Sequence, residues 1–151
     1  MRFKSFRFIL YTMPVYSDKI HFATKGNCHI IDITSEINKA LVKSKQVNGT
    51  VTVFVPGATG AVTTMEYERG LAKDIQEFYD RLIPKDKEYH HNAAWQDGNG
   101  HSHVRASCMG PSLAIPFLTG KLTLGTWQQV VFIDFDIRER DREIILQFVG
   151  E

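Results

Sequence analysis

The last third of the chain constrains the fold most, because it strings short apolar runs together with turns too brief to hold a helix. Leu113–Leu118, Leu122–Leu124, Val130–Asp136 and Glu143–Val149 read as strands, separated by Thr119-Gly120, Gly125-Thr126 and Glu139-Arg140-Asp141. Consecutive strands joined by short turns pair antiparallel, since a parallel pair needs a crossover of a dozen residues or more. The first half supplies further strands. Arg2–Leu10 alternates Phe6, Phe8 and Leu10 with Ser5 and Arg7. Lys19–Thr24 and His29–Ile33 follow, and Thr50–Val55 is almost wholly β-branched and reads as a central strand, with Val62–Met65 after it.

Helical period enters at three places. Ile33, Ile37, Ala40 and Leu41 form one amphipathic stripe, with Thr34 or Ser35 as cap and Asn48-Gly49 as stop. Leu71, Ile75, Phe78, Tyr79 and Leu82 form a second stripe, ended by Pro84. Val104–Met109 lacks strand alternation and ends at Gly110-Pro111, which predicts a short third helix beginning near Gly100. The expectation is an α+β fold: residues 1–151 as a single domain, mostly antiparallel sheet with about three helices.

Composition bounds the function. In 151 residues, 18 basic and 17 acidic side chains leave a formal charge of +1, without the basic excess of a nucleic-acid binder. No run approaches the ~18 apolar residues of a membrane span, and Arg2, Lys4 and Arg7 interrupt the N-terminal apolar residues, so no signal peptide and no membrane are expected. Cys28 and Cys108 have no metal or redox spacing and fit reduced thiols of a cytoplasmic protein.

The chemistry concentrates between Tyr89 and Ser107, which holds four of the six histidines, at positions 90, 91, 101 and 103. Neutral imidazole is the commonest metal ligand, so His91, His101 and His103 are candidate ligands for a divalent metal, zinc or magnesium, with Glu66 or Asp97 supplying oxygen. If the third helix starts at Gly100, His101 and His103 project roughly 200° apart and cannot share one ion, which makes His91 and His103 the expected pair. The same histidines can instead line a polar cleft as hydrogen-bonding groups. Asp97-Gly98-Asn99-Gly100 enters that helix; Asn99 and Gly100 can cradle a phosphate at its N-terminus with Arg105 pairing the same anion, or form an ordinary turn. Thr126-Trp127-Gln128 offers an indole and an amide to a flat heterocycle, or else a core tryptophan beside an edge polar residue. No Gly-x-Ser-x-Gly elbow occurs, so serine nucleophilic catalysis is not expected.

Ser112–Gly120 followed, after four residues, by Gly125-Thr126-Trp127-Gln128 resembles the signature of the YjbQ family, whose members are commonly described as secondary thiamine-phosphate synthases. Asp32-Ile33-Thr34, Phe54–Thr59, Glu66, His91 and His103–Ser107 also fall where family members carry similar residues. The resemblance implies an antiparallel α+β fold assembled as a homotrimer. The implied reaction joins hydroxymethylpyrimidine diphosphate to thiazole phosphate and releases pyrophosphate. It places a phosphorylated small-molecule substrate on Asn99, Gly100, Thr126, Trp127 and Gln128. It also makes Glu66, His101 and Arg105 the catalytic candidates. Two other readings stay open: metal-dependent hydrolysis of a phosphorylated small molecule, and a non-catalytic trimeric binding or regulatory protein. In one place the chain departs from the family pattern. Gly57 stands where many members have a histidine, and His101 is expected to replace it.

Overall fold

A computed structural model describes residues 13–151. In chain order its elements are β1 (Val15–Thr24), β2 (His29–Asp32), α1 (Thr34–Ser44), β3 (Gly49–Phe54), β4 (Gly60–Met65), α2 (Arg69–Leu82), α3 (His90–Trp95), α4 (Gly100–Met109), β5 (Ser112–Leu118), β6 (Lys121–Leu122), β7 (Gln129–Asp134) and β8 (Arg140–Gly150). The strands form a five-stranded sheet of order β1-β8-β3-β5-β6 and a three-stranded sheet of order β2-β7-β4. Every strand pairing is antiparallel. The α+β class is therefore observed, with two sheets and four helices among the described residues. The strand expected over Arg2–Leu10 lies outside the described residues.

The two sheets stack through alternating side chains. β3 is the middle strand of the large sheet; Val51 and Val53 are buried, while Thr50, Thr52 and Phe54 face outward. On the inner face Val51, Val53, Phe117, Ile144, Leu146 and Phe148 meet Val62, Val130 and Phe132 of the small sheet, and α1 closes this layer with Ile37, Ala40 and Leu41. The other face of the small sheet presents Ala61, Met65, Val131 and Ile133 to Tyr79 and Ile83 at the end of α2 and Ala106 of α4. Strand β7 is thus covered on both faces, which explains the unbroken apolar run Val130–Ile133.

The helix boundaries differ in detail from expectation. No side chain caps α1 from its N-cap residue; Asp32 Oδ1 instead accepts the Thr34 N–H at 2.8 Å. The helix ends at left-handed Lys45 (φ 59°), ahead of Asn48-Gly49. At α2 the Glu68 carboxylate accepts the N–H groups of Gly70 and Leu71, the geometry of an N-cap. Leu71, Ile75 and Tyr79 pack inward from α2, whereas Phe78 and Leu82 of the same stripe are exposed. The added helix, α3, lies inside the histidine stretch. With six residues it is too short for its period to be separable from a loop in sequence.

Candidate active site

Helices α3 and α4 are joined by a tight turn in which Gln96 (φ 54°) and Gly98 (φ 69°) take left-handed conformations. Gly100 follows under a close approach: a Cβ there would stand 2.6 Å from Tyr89 Cβ and 2.9 Å from Asn92 Oδ1. Asn92 Oδ1 accepts the Gly100 N–H at 2.8 Å. The first N–H of α4 is therefore satisfied from within the chain and is not offered to a phosphate, which corrects the substrate-binding role expected of Gly100.

This turn brings His91 of α3 against His103 of α4, with ring centroids 4.4 Å apart. His91 Nε2 lies 3.4 Å from Asp97 Oδ2. Asn99 is buried, and the end of its amide lies 3.2 Å from Nε2 of both histidines and 3.1 Å from both Asp97 oxygens. With nitrogen facing this set, Asn99 donates to it; with oxygen facing it, the amide adds one more acceptor. Burial holds the His103 pKa below its usual value, the nearby His91 acts in the same sense, and Asp97 opposes.

The facing wall comes from the end of β7 and the start of β8. Asp134 and Asp136 are fully buried. Arg142 Nη2 and Nε donate to the two Asp134 oxygens at 2.6 and 2.8 Å. Thr24 adds a hydroxyl donor to Asp134. Arg140 Nε donates to Asp136 Oδ2 at 2.8 Å, and the Thr59 hydroxyl donates to the same oxygen at 3.1 Å. Burial pushes the Asp136 pKa up, but the donors Arg140, Ile137 N–H and Thr59 outweigh it and hold the carboxyl below its ordinary value. Buried charges persist when paired and hydrogen-bonded in this way. Arg140 Nη1 and Nη2 and Arg142 Nη1 have no acceptor among the described residues. Arg142 Nη1 points at the Gly57 loop, 3.9 Å from where a Gly57 Cβ would stand.

Between the walls is an open cleft of about 510 Å³, lined by His91, His103, Asn99, Asp97, Arg140 and Arg142, with Trp95, Ala58 and Thr59 at its edge. None of Asp134, Asp136, Arg140, Arg142, Thr59 and Trp95 was a candidate from sequence. Asp134-x-Asp136 and Arg140-x-Arg142 have the two-residue period that sets charged side chains on one side of a strand, and that signal was available.

The other expected residues lie elsewhere. His101 faces away from His103, as the start of α4 at Gly100 requires, and is 2% exposed with Nδ1 unpartnered. It neither lines the cleft nor fills the space beside Gly57, so it does not replace the family histidine and cannot ligate with His91 and His103. Arg105 is 1% exposed. Its Nε and Nη2 donate to the Ile83 carbonyl at 3.0 and 2.6 Å, and Nη2 to Asp80 Oδ1 at 2.9 Å. It closes the C-terminal end of α2 from below, which corrects its expected role as an anion partner. Glu66, Thr126, Trp127 and Gln128 sit at the opposite end of β4 and β7, roughly 20 Å away at ~3.3 Å per strand residue. There Gln128 Nε2 donates to Thr64 Oγ1 at 2.9 Å and its Oε1 accepts the Gly125 N–H at 3.1 Å. Trp127 is 72% exposed, not a core residue.

Among the described residues no three His, Cys, Asp or Glu side chains form a metal-holding group by themselves. The donor set at His91 nevertheless fits a cation once Asn99 is counted. A tetrahedral site with ligands at ~2.0–2.1 Å spaces those ligands about 3.3 Å apart. The Asn99 amide lies 3.1–3.2 Å from His91 Nε2, His103 Nε2 and Asp97, and His91 Nε2 lies 3.4 Å from Asp97 Oδ2.

Residues 18–151 match the model of the "UPF0047 protein YjbQ-like" family. A UPF0047 protein of Archaeoglobus fulgidus is 40% identical over 124 residues, 82% of this chain and 94% of that protein. One from Methanothermobacter thermautotrophicus is 35% identical over 92% of this chain and 95% of its own length. A crystal structure of a YbjQ-like protein of unknown function from Sulfolobus solfataricus P2 superimposes with a TM-score of 0.88 at 32% identity, covering 93% of this chain and all of that one. No helix among the described residues is long and apolar enough to cross a membrane. The chain belongs to the UPF0047, YjbQ-like family.

Proposed function

We propose that the cleft binds a phosphorylated small molecule beside a divalent cation, and that the protein is a cytoplasmic, thiamine-phosphate synthase-like enzyme. It joins hydroxymethylpyrimidine diphosphate to thiazole phosphate and releases pyrophosphate. The observation that carries this reading is the convergence of His91, His103, Asp97 and Asn99 opposite the free guanidinium nitrogens of Arg140 and Arg142. Pyrophosphate departure needs positive charge where negative charge develops. The cleft lining holds three carboxylates (Asp97, Asp136, Asp141) against two guanidiniums, so its own side chains do not neutralise a diphosphate.

His91, His103, Asp97 and the Asn99 oxygen would hold the cation, which would supply positive charge to offset that of a leaving pyrophosphate. Arg140 and Arg142 grip phosphate oxygens through the nitrogens not used on Asp136 and Asp134. The buried aspartates keep both guanidiniums pointing into the cleft, so little reorganisation accompanies binding. Trp95, 73% exposed at the rim, offers a face to a pyrimidine ring.

The homotrimer belongs to this proposal. Trp127 stands exposed on a turn held by Gln128, at the far end of β7 from the cleft, and a neighbouring copy would bring that turn to the cleft mouth. A second reading, hydrolysis of a phosphorylated small molecule, is favoured by the openness of the cleft, which leaves water free to attack.

The deciding assay measures thiamine phosphate formed from the two phosphorylated precursors, with His103→Ala and Arg142→Met as controls. Product formed by the wild type and lost in both variants supports the synthase. Release of phosphate from the diphosphate alone, with no coupled product, selects hydrolysis. No turnover with retained binding leaves a trimeric binding protein.

A further inference from the structure

Between the β1–β2 turn and α2 lies a cleft of about 700 Å³. It shares no lining residue with the histidine cleft. Its floor is apolar, made by Cys28, Ile30 and Ala72, and its rim carries Lys25, Arg69 and Lys73.

The charges at this rim are unbalanced. Lys25 and Arg69 have no carboxylate partner among the described residues, and Lys73 has an exposed one, Glu77, at 3.6 Å. The one acidic residue in the lining, Glu68, is committed to the N–H groups of Gly70 and Leu71. His29 adds a donor. The Lys25 N–H donates to His29 Nδ1 at 3.2 Å, so the neutral ring carries its proton on Nε2. Burial first, then the Lys25 charge, favours that neutral form.

The backbone bounding the cleft is strained. Gly26, Asn27 and Cys28 are consecutive left-handed residues, with φ of 67°, 53° and 65°. Glycine and asparagine tolerate this region; a cysteine there costs of order 1–3 kcal/mol and persists when its surroundings over-determine it. Gly26 is required by packing as well, since a Cβ would stand 2.6 Å from the carbonyl oxygens of Asp136 and Arg138. The turn is thereby fixed to the backbone beyond β7. Tyr67, half exposed, lies in the lining with its hydroxyl donating to the Ile30 carbonyl at 3.3 Å, so its ring is held in place.

We infer that this cleft is a second ligand site, for a small molecule with a planar apolar body and a phosphate or carboxylate head. The body lies against Tyr67, Ile30 and Ala72, and the head meets Arg69, Lys25 and the His29 Nε2–H. Placement of an aromatic face and unpaired cations around an apolar floor matches the composition of small-ligand sites. The inference is independent of the reaction proposed for the histidine cleft.

A chemical-shift titration of the isotope-labelled full chain tests it, with phenyl phosphate, phenylacetate and inorganic phosphate as probes. Saturable shifts are expected at the amides of Gly26–Ile30 and Tyr67–Lys73 with either aromatic probe, and weaker ones with inorganic phosphate. The two aromatic probes separate a phosphate head from a carboxylate head. Lys25→Ala/Arg69→Ala, both on the surface, is expected to weaken binding at least about tenfold. Tyr67→Leu is expected to remove the advantage of phenyl phosphate over inorganic phosphate. The site is refuted by the absence of saturable shifts at these amides, by unchanged affinity in the double variant, or by shifts centred on His91 and His103.

Discussion

His91 and His103 stand with ring centroids 4.4 Å apart although they belong to different helices, and Asn99, at the start of the second helix, touches both. Two imidazole nitrogens and a carboxylate face the end of the Asn99 amide. The Asn99 amide answers either as donor or, with a cation present, as a further acceptor.

Zinc titration by calorimetry therefore has a defined outcome. The wild type is expected to take up one ion per chain, and His91→Ala/His103→Ala none. Asn99→Ala should weaken uptake about tenfold, ~1.4 kcal/mol. Equal metal content in wild type and the double variant removes the site.

Arg105→Met is expected to lower stability by about 2–4 kcal/mol, since it leaves the Ile83 carbonyl buried without a donor. The ion pair with Asp80, whose side chain is 41% exposed, contributes little of this. Zinc affinity should be unchanged. A variant of normal urea midpoint with lost turnover would place Arg105 in the chemistry instead.

Acidification should destabilise the protein in two stages. The folded pKa values of His101 and His103 lie below the ordinary 6.5, lowered chiefly by burial, so their contribution is complete above that pH and is lost as pH falls through the folded values. Around His101, Arg105 and Lys85 reinforce the shift while Asp80 and Asp136 oppose it. Urea midpoints measured from about pH 7.5 to 5.5 should fall for the wild type and fall less for His101→Gln. Asp136 acts later: its folded pKa lies below 3.8, so its contribution persists above that value and disappears on further acidification.

Asp134→Ala should cost about 3–5 kcal/mol, because it strands the Arg142 guanidinium, whose side chain is 11% exposed. Asp134→Ala/Arg142→Met should recover part of that loss, which a double-mutant cycle of urea midpoints measures.

Trp127→Ala is expected to leave chain stability within about 0.5 kcal/mol, as for an exposed side chain, while shifting the molecular mass found by light scattering towards the single chain. An unchanged mass would dissociate Trp127 from assembly.

Local pattern determined a good deal of this protein. The antiparallel strands, the α1 stripe of Ile37, Ala40 and Leu41, the central place of β3 and the start of α4 at Gly100 all follow from side-chain period and turn residues. The incompatibility of His101 with His103 follows too, because helical geometry acts within a few residues of chain. The pairing of His91 with His103 is legible there as well, and tertiary structure decided what each position of α4 meets. Position 101 meets Tyr89 and position 103 meets Ala58 because α4 packs on the small sheet by one face. It also decided that Arg105 is spent on the Ile83 carbonyl, and that Asp134, Asp136, Arg140 and Arg142 face residues some forty positions earlier. Pairings between charged groups far apart in sequence depend on how sheets and helices stack, and no local period records that.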